Sequence, residues 1–365
     1  MSRRAAPERS SPPSRVERRG AARRARRGVA AGVASLLVIG GLGVYLAGRG
    51  DGDVVPTPDG AAASRKQPAS MLLALEVTGG PAPALAMIGV PAGGEPFVAP
   101  LSAELSLIVP GQGEASTAGV AALPAESMRV ALSNLAGSWI DHFVVVSLRE
   151  LEAMVDGIGG LSVTLTDAYP TATDVLGPGE IIMTGAQVRA FLAGATAESG
   201  ARWEIVLGAL LADPPELPDG SALTDDADAV GAIWSAAAGA ELLDLPTKRV
   251  GPSTVLPEFP ALDALLSESL GRPTPVSTIV QNGSGVPGIG EAVAARIIPA
   301  GFRVVLAQNA QAFDVGRTDV YANGAEFEAQ ARAARAALGV GRVTVSAVPS
   351  NVGDIVIVVG KDFTA

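Results

Sequence analysis

Two short apolar stretches, Met71–Leu75 and Leu85–Val90, are separated by turn residues around Gly79-Gly80. Runs of that length between turn signals predict two joined strands. Farther on, Phe143-Val144-Val145-Val146 reads as a buried strand. Ser147 and Glu150 then form a capping box, because the hydroxyl and the carboxylate can each take a free backbone N–H at a helix start. Leu148, Leu151, Met154 and Val155 follow at helical spacing, and Gly157 can end the helix. Leu161, Val163 and Leu165 alternate with Ser162, Thr164 and Thr166, the signature of a half-buried strand. Strand, helix and strand within this short span predict a layered α/β domain.

Residues 212–275 are rich in Pro, Asp and Ala, with helices expected around 225–239 and 260–270. Asp225-Asp226 reads as a helix start. Gly271-Arg272-Pro273-Thr274-Pro275 breaks the pattern and marks a domain boundary. Beyond it, strands are expected at Val276–Val280, Phe302–Leu306, 342–347 and 354–359, with a helix over Glu291–Ile298. Asn323 is expected to cap a second helix that carries Phe327, Ala331, Ala334 and Leu338 and closes at Gly339. No internal repeat is visible.

The N-terminal pattern is different. Residues 28–48 form one uncharged run of 21 residues. At about 1.5 Å per residue it makes a helix of roughly 31 Å, the thickness of a bilayer core. Ten arginines and two glutamates precede it, a net +8 within a chain whose total is −10, so everything after the run carries −18. Arginines crowd the N-terminal side, ten against the single Arg49 directly after the run, which places residues 1–27 in the cytoplasm and the rest outside. A cleaved signal peptide is the rival reading, but its apolar core is shorter, about 7–15 residues. The expected order is basic tail 1–27, transmembrane helix 28–48, linker 49–68, a large exported domain 69–270 and a smaller α/β domain 276–365. The basic tail is read as a topology signal, so no nucleic-acid partner is expected.

Composition narrows the chemistry. Of 365 residues, 48% are hydrophobic and 18% charged; there is no cysteine and one histidine, His142. Thiolate nucleophiles, disulfides and multi-histidine zinc sites are excluded. Gly283-Ser284-Gly285-Val286-Pro287-Gly288 spells a dinucleotide fingerprint between a strand and a helix. The acid that should end the next strand is missing, since that strand closes Leu306-Ala307-Gln308-Asn309, and Pro287 removes a backbone donor. A tight strand-to-helix turn is the better reading. No Walker sequence or nucleophile elbow is present, and His142 beside Asp141 reads as a strand-edge residue. No catalytic residue, cofactor or metal is expected.

Two further patterns point to a family. Val280-Gln281-Asn282-Gly283-Ser284-Gly285-Val286-Pro287-Gly288, then Gly301-Phe302, then Asp354 through Phe363, resembles the LytR C-terminal domain. Trp139–Val146, Leu151–Val155, Gly159–Val163, Gly177-Pro178-Gly179 and Thr184–Gln187 resemble the frame of a LytR-CpsA-Psr protein. The resemblance spans residues 69–365. It implies an exported αβα domain of the kind that moves glycopolymers from a polyprenyl-pyrophosphate carrier to peptidoglycan.

The family's functional residues are absent from their places. Pro91-Ala92-Gly93-Gly94 stands for Pro-Arg-Asp-Thr, Ala69 or Ser70 for an aspartate, and Phe191-Leu192-Ala193-Gly194-Ala195 for an arginine pair. Of a later run, Arg202 is kept, whereas Ser199 and Ile205 replace the aspartate and the second arginine. Losing three or four charge-assisted contacts costs roughly 5–12 kcal/mol, about four to nine orders of magnitude in affinity. The resemblance therefore implies a degenerate, non-catalytic member. It would bind polyprenyl lipid, peptidoglycan or a secondary wall polymer, or an active paralogue. The alternative is a phosphotransferase with relocated ligands, Arg189 and Arg202. Arg202 is the residual phosphate-binding candidate, and Asn282, Gly283, Ser284 and Gly285 are the binding-loop candidates of the smaller domain.

Overall fold

The computed structural model describes residues 69–76, 84–91, 94–171, 174–193, 199–217, 223–224, 226–346 and 353–364. The basic tail, the apolar run and the linker lie outside them, as do Ala92, Gly93 and Ala195. Among the described residues no helix is long and apolar enough to cross a membrane.

The large domain is built on β1 (Ala69–Glu76), β2 (Ala84–Val90), β3 (Phe97–Leu101) and β6 (His142–Ser147). Strand β1 lies at the centre, antiparallel to β2 and parallel to β6, and β2 pairs antiparallel with β3. Short strands Leu223–Thr224 and Glu241–Leu242 close the two edges. The period-2 pattern of β1 splits between two cores. Met71, Leu73 and Leu75 enter one hydrophobic cluster, and Leu72 and Ala74 enter the other. A strand apolar on both faces needs a cover on each side.

The first cover holds α2 (Leu148–Gly157), the β7–β8 hairpin (Leu161–Leu165 and Gly179–Met183), α3 (Gly185–Ala193), α4 (Ser199–Ala212) and α5 (Ala227–Ala236). The second holds α1 (Ala125–Ala136), the β4–β5 hairpin (Ser106–Val109 and Gly113–Ser116) and α6 (Phe259–Leu270). The result is three layers, α, β and α. The Ser147 capping box is present in full: Ser147 Oγ accepts the Glu150 N–H at 3.2 Å, and Glu150 Oε2 accepts the Ser147 N–H at 2.7 Å.

After Gly271, which ends α6 at a φ of 62°, the chain builds a second sheet. Its strands are β9 (Val276–Asn282), β10 (Phe302–Asn309), β11 (Asp319–Ala322), β12 (Arg342–Val345) and β13 (Ile355–Val359), in the order β10-β9-β13-β11-β12. Helices α7 (Ile289–Ile297) and α8 (Glu328–Leu338) cover one face and enclose a third core.

The expected cap at Asn323 is not there. Helix α8 follows a short 3-10 turn at Ala325–Phe327 and has Phe327 at its N-cap. Asn323 is buried instead, with its backbone N–H on Asp354 O and its side-chain amide donating to Gly353 O. A long-range backbone acceptor has taken the side chain that the local pattern assigned to the helix.

Candidate functional site

The large domain carries the first candidate. Arg202 leaves α4 into the packing of the first cover, and it is 1% exposed. Nη1 donates to Phe191 O at 2.8 Å, and the guanidinium lies 5.2 Å from the Tyr169 ring centre and 5.0 Å from that of Phe191. Those rings meet edge to face at 5.2 Å. The cation is held by a helix-end carbonyl and two aromatic faces, well inside the packing. Neighbouring Phe191, Val188, Met183 and Leu207 are each 0% exposed, and Trp203 is 3% exposed. An open lipid channel along these side chains would leave them accessible. Ala193 faces solvent at the end of α3. Arg189 is half exposed and pairs with Glu152 at 3.2 Å, so it and Arg202 occupy different environments.

A second polar group was missed by sequence reasoning. It forms where β1 and β6 begin side by side, with Met71 in register with His142. Ser70 N–H and Ser70 Oγ both donate to Asp141 Oδ2, at 2.9 and 2.8 Å, and Ser70 Oγ accepts the Asp141 N–H at 3.2 Å. A carboxylate at position 70 would meet Asp141 as a like charge. Arg129 lies over the Trp139 ring at 4.9 Å, donates to Asp141 O at 3.1 Å and pairs with Glu126 at 2.6 Å. Burial pulls the Arg272 guanidinium below the usual arginine range, and Asp141 partly offsets this. The void bounded by Ser70, Gly89, Ser138, Trp139 and Arg272 is about 20 Å³. That is room for a water molecule, not for a diphosphate. The only sequence signal was the Asp141-His142 pair; the partners Ser70 and Arg272 are remote in the chain.

The loop candidates sit at the carboxyl end of β9, where open α/β sheets tend to place ligands. Asn282 Oδ1 accepts from Gly285 N–H and Ser284 Oγ, both at 3.0 Å, while Nδ2 donates to Val286 O at 2.9 Å. Ser284 Oγ accepts the Val286 N–H at 3.2 Å. A Cβ on Gly283 would lie 2.6 Å from Val315 Cγ2 and 2.9 Å from Val359 O, so only glycine fits. Gly285 holds a φ of 78°. All four residues come together, but their polar groups shape the turn. What the turn offers to solvent is Val286, 50% exposed, and Phe313, 52% exposed, whose Cβ packs against Gly285. Asn309 and Gln311 are exposed on the same approach. Sequence reading passed over Phe313, whose signal was an aromatic within a polar loop. Among the described residues, no group of three or more His, Asp or Glu side chains could hold a metal ion.

No curated protein matches the chain. Solved structures resemble it loosely. TagV of B. subtilis is 15% identical with a TM-score of 0.47, over 57% of this chain and 99% of that one. A LytR-CPS2A-psr family protein, YwtF (TagT), with bound octaprenyl pyrophosphate lipid, is 15% identical with a TM-score of 0.47, over 57% and 92%. A LytR-Csp2A-Psr enzyme from Actinomyces oris is 16% identical with a TM-score of 0.45, over 56% and 93%. Likeness at this level transfers no residue roles. The match in sequence lies in the second sheet and its helices: residues 276–363 match the LytR_C family, described as LytR cell envelope-related transcriptional attenuator.

Proposed function

We propose that this is a membrane-anchored cell-envelope protein that binds wall polymer through its C-terminal module and does not catalyse glycopolymer transfer. The observation that carries the reading is Arg202. The last cation left in the pattern of a pyrophosphate-transferring domain is enclosed and engaged with Phe191 O and two rings. Diphosphate recognition relies on guanidinium forks that reach the ligand. The LytR_C match supports an envelope role, and the exposed Phe313 with Asn309 and Gln311 nearby suits a sugar face and its hydroxyls better than a charged phosphate. Anchoring rests on the uncharged run at 28–48 and its arginine flank, with the N-terminus cytoplasmic and both modules outside.

The test uses the full chain in lipid nanodiscs. It should co-sediment with insoluble peptidoglycan carrying its secondary polymer, and Phe313→Ala should release it. With polyprenyl-pyrophosphate-linked glycan, peptidoglycan acceptor and magnesium it should release no polyprenyl monophosphate. Product release would restore the phosphotransferase reading, and failure to sediment would remove the wall-binding one.

A further inference from the structure

The C-terminal module is not strung on a loose tether. Arg303 on β10 is 3% exposed and points out of its own domain. Its Nε donates to Asn134 O at 3.0 Å and its Nη2 to Leu135 O at 2.9 Å, the last-turn carbonyls of α1. Its Nη1 meets Asp263 Oδ1 of α6 at 2.6 Å, and its guanidinium lies 4.5 Å from the Phe259 ring centre. A guanidinium at a helix C-terminus satisfies free carbonyls and opposes the helix dipole. Here the helix and the cation belong to different modules.

Asn134 completes the joint from the other side. It is 2% exposed, and its amide behaves like a strand backbone against β10. Oδ1 accepts the Val304 N–H at 2.7 Å, and Nδ2 donates to Val304 O at 2.8 Å. At Val304 the outer edge of the second sheet is thus paired to a helix of the first domain, which shortens the open edge. Close packing extends the contact. A Cβ on Gly290 would lie 2.8 Å from Gly111 Cα, Ser127 Oγ donates to Glu291 at 2.7 Å, and Val130 of α1 belongs to the third core.

From α1 the connection continues to the strand where the chain enters the large domain. Ser138 N–H donates to Ser133 O at 3.1 Å, Ile140 N–H to Ser133 Oγ at 3.0 Å, and Asp141 then holds Ser70. We infer that Arg303 locks the LytR_C module to α1 and α6 as a fixed arm, so that its exposed tip is presented in one orientation relative to β1. A flexible two-domain binder would search for its ligand; this one presents a preset surface. The inference stands whether or not the tip binds wall polymer.

The chain has no cysteine, so labels can be placed at will. Ala153→Cys on α2 and Ala329→Cys on α8 are both exposed positions, one on each module. Spin labels there, in the full chain in nanodiscs, should give one narrow distance peak. Arg303→Met should replace it with a broad distribution and open residues 271–275 to protease. Asp263→Ala, which removes one of the lock's three polar anchors, should broaden it partly and serves if Arg303→Met does not fold. A broad distribution in the parent chain overturns the inference. So does a peak that stays narrow in the Arg303 variant, or in the Asp263 variant when that is the one read.

Discussion

Arg202→Ala separates a structural cation from a ligand-binding one. Truncation removes a charged donor from Phe191 O and leaves that carbonyl unsatisfied, at about 1–3 kcal/mol. It also removes the stem that fills the space beside Tyr169 and Phe191, about 1–3 kcal/mol of packing. Against this, the variant no longer buries a guanidinium, whose desolvation cost is several kcal/mol before its partners offset it. The cation–aromatic attraction, about 2 kcal/mol when desolvated, cancels part of that credit. The expected net loss is about 3 kcal/mol, a fall in midpoint of roughly 4–5 °C for a chain of this size. Arg202→Met keeps most of the volume while losing the donor and the charge, whose desolvation cost and ring attraction largely offset, so its loss should be about 1 kcal/mol. Urea unfolding followed by tryptophan fluorescence reads both variants, since Trp203 is the next residue and is buried. A stability change below about 1 kcal/mol in Arg202→Ala, together with weakened binding of polyprenyl pyrophosphate, would refute the structural assignment.

Two further outcomes are expected. The Tyr321 phenol is pushed up to about 12, first by burial and then by the Asp319 carboxylate, so between about pH 10 and 12 the unfolded chain loses a proton that the folded one keeps. Stability should fall by up to about 3 kcal/mol as pH rises through that window; Tyr321→Phe should flatten this part of the denaturation profile, and an unchanged slope would sink the assignment. Gly290→Ala should destabilise the chain by about 2 kcal/mol or more in thermal unfolding, because the new methyl meets Gly111 backbone atoms that cannot give way. Gly231→Ala, with open space around it on α5, is the control and should be neutral or slightly stabilising.

The elements read most easily from sequence carry their signals locally. The two apolar strands, the Ser147 capping box, the Asp226 helix start and the glycine-ended helices are of this kind. Helix α1 was illegible for a specific reason. Its buried face includes Ser133 and Asn134, polar residues that break the apolar spacing; Ser133 is satisfied by Ile140 just past the helix and Asn134 by Val304 far along the chain. Helix α4 carries Ala, Gly and Ile as well as Glu204 on its more open face, so its sequence is apolar nearly all round and has little periodicity to find. At the candidate sites, residue identity was visible but partnership was not. Arg202 read as a phosphate cation because Tyr169 and Phe191 approach it only in the fold. Asn323 read as a cap because Gly353 and Asp354 are distant in sequence. Arg303 sits in an ordinary strand pattern, and nothing near it names α1 as its partner.

The chain beyond the apolar run is acidic overall, and most of its described arginines, though not the exposed Arg149 and Arg317, are already occupied. Arg129, Arg189, Arg249, Arg332 and Arg342 each pair with a carboxylate. Arg296 and Arg335 donate to backbone carbonyls, and Arg202 and Arg303 are enclosed. A diphosphate approaching these groups would have to compete with a partner in each case, and for the two buried arginines with the packing as well. Such competition removes most of the gain from a new ion pair, since exposed pairs are worth only about 0–1 kcal/mol net. An uncharged ligand faces no such competition at the tip formed by Val286 and Phe313, where apolar surface is already exposed. Pre-orientation by the Arg303 joint lowers the ordering cost of binding there, because an arm held in one position has less freedom to lose. Charge and architecture therefore favour the same face of the molecule: the tip of the LytR_C module, engaging a ligand through shape and apolar contact more than through charge.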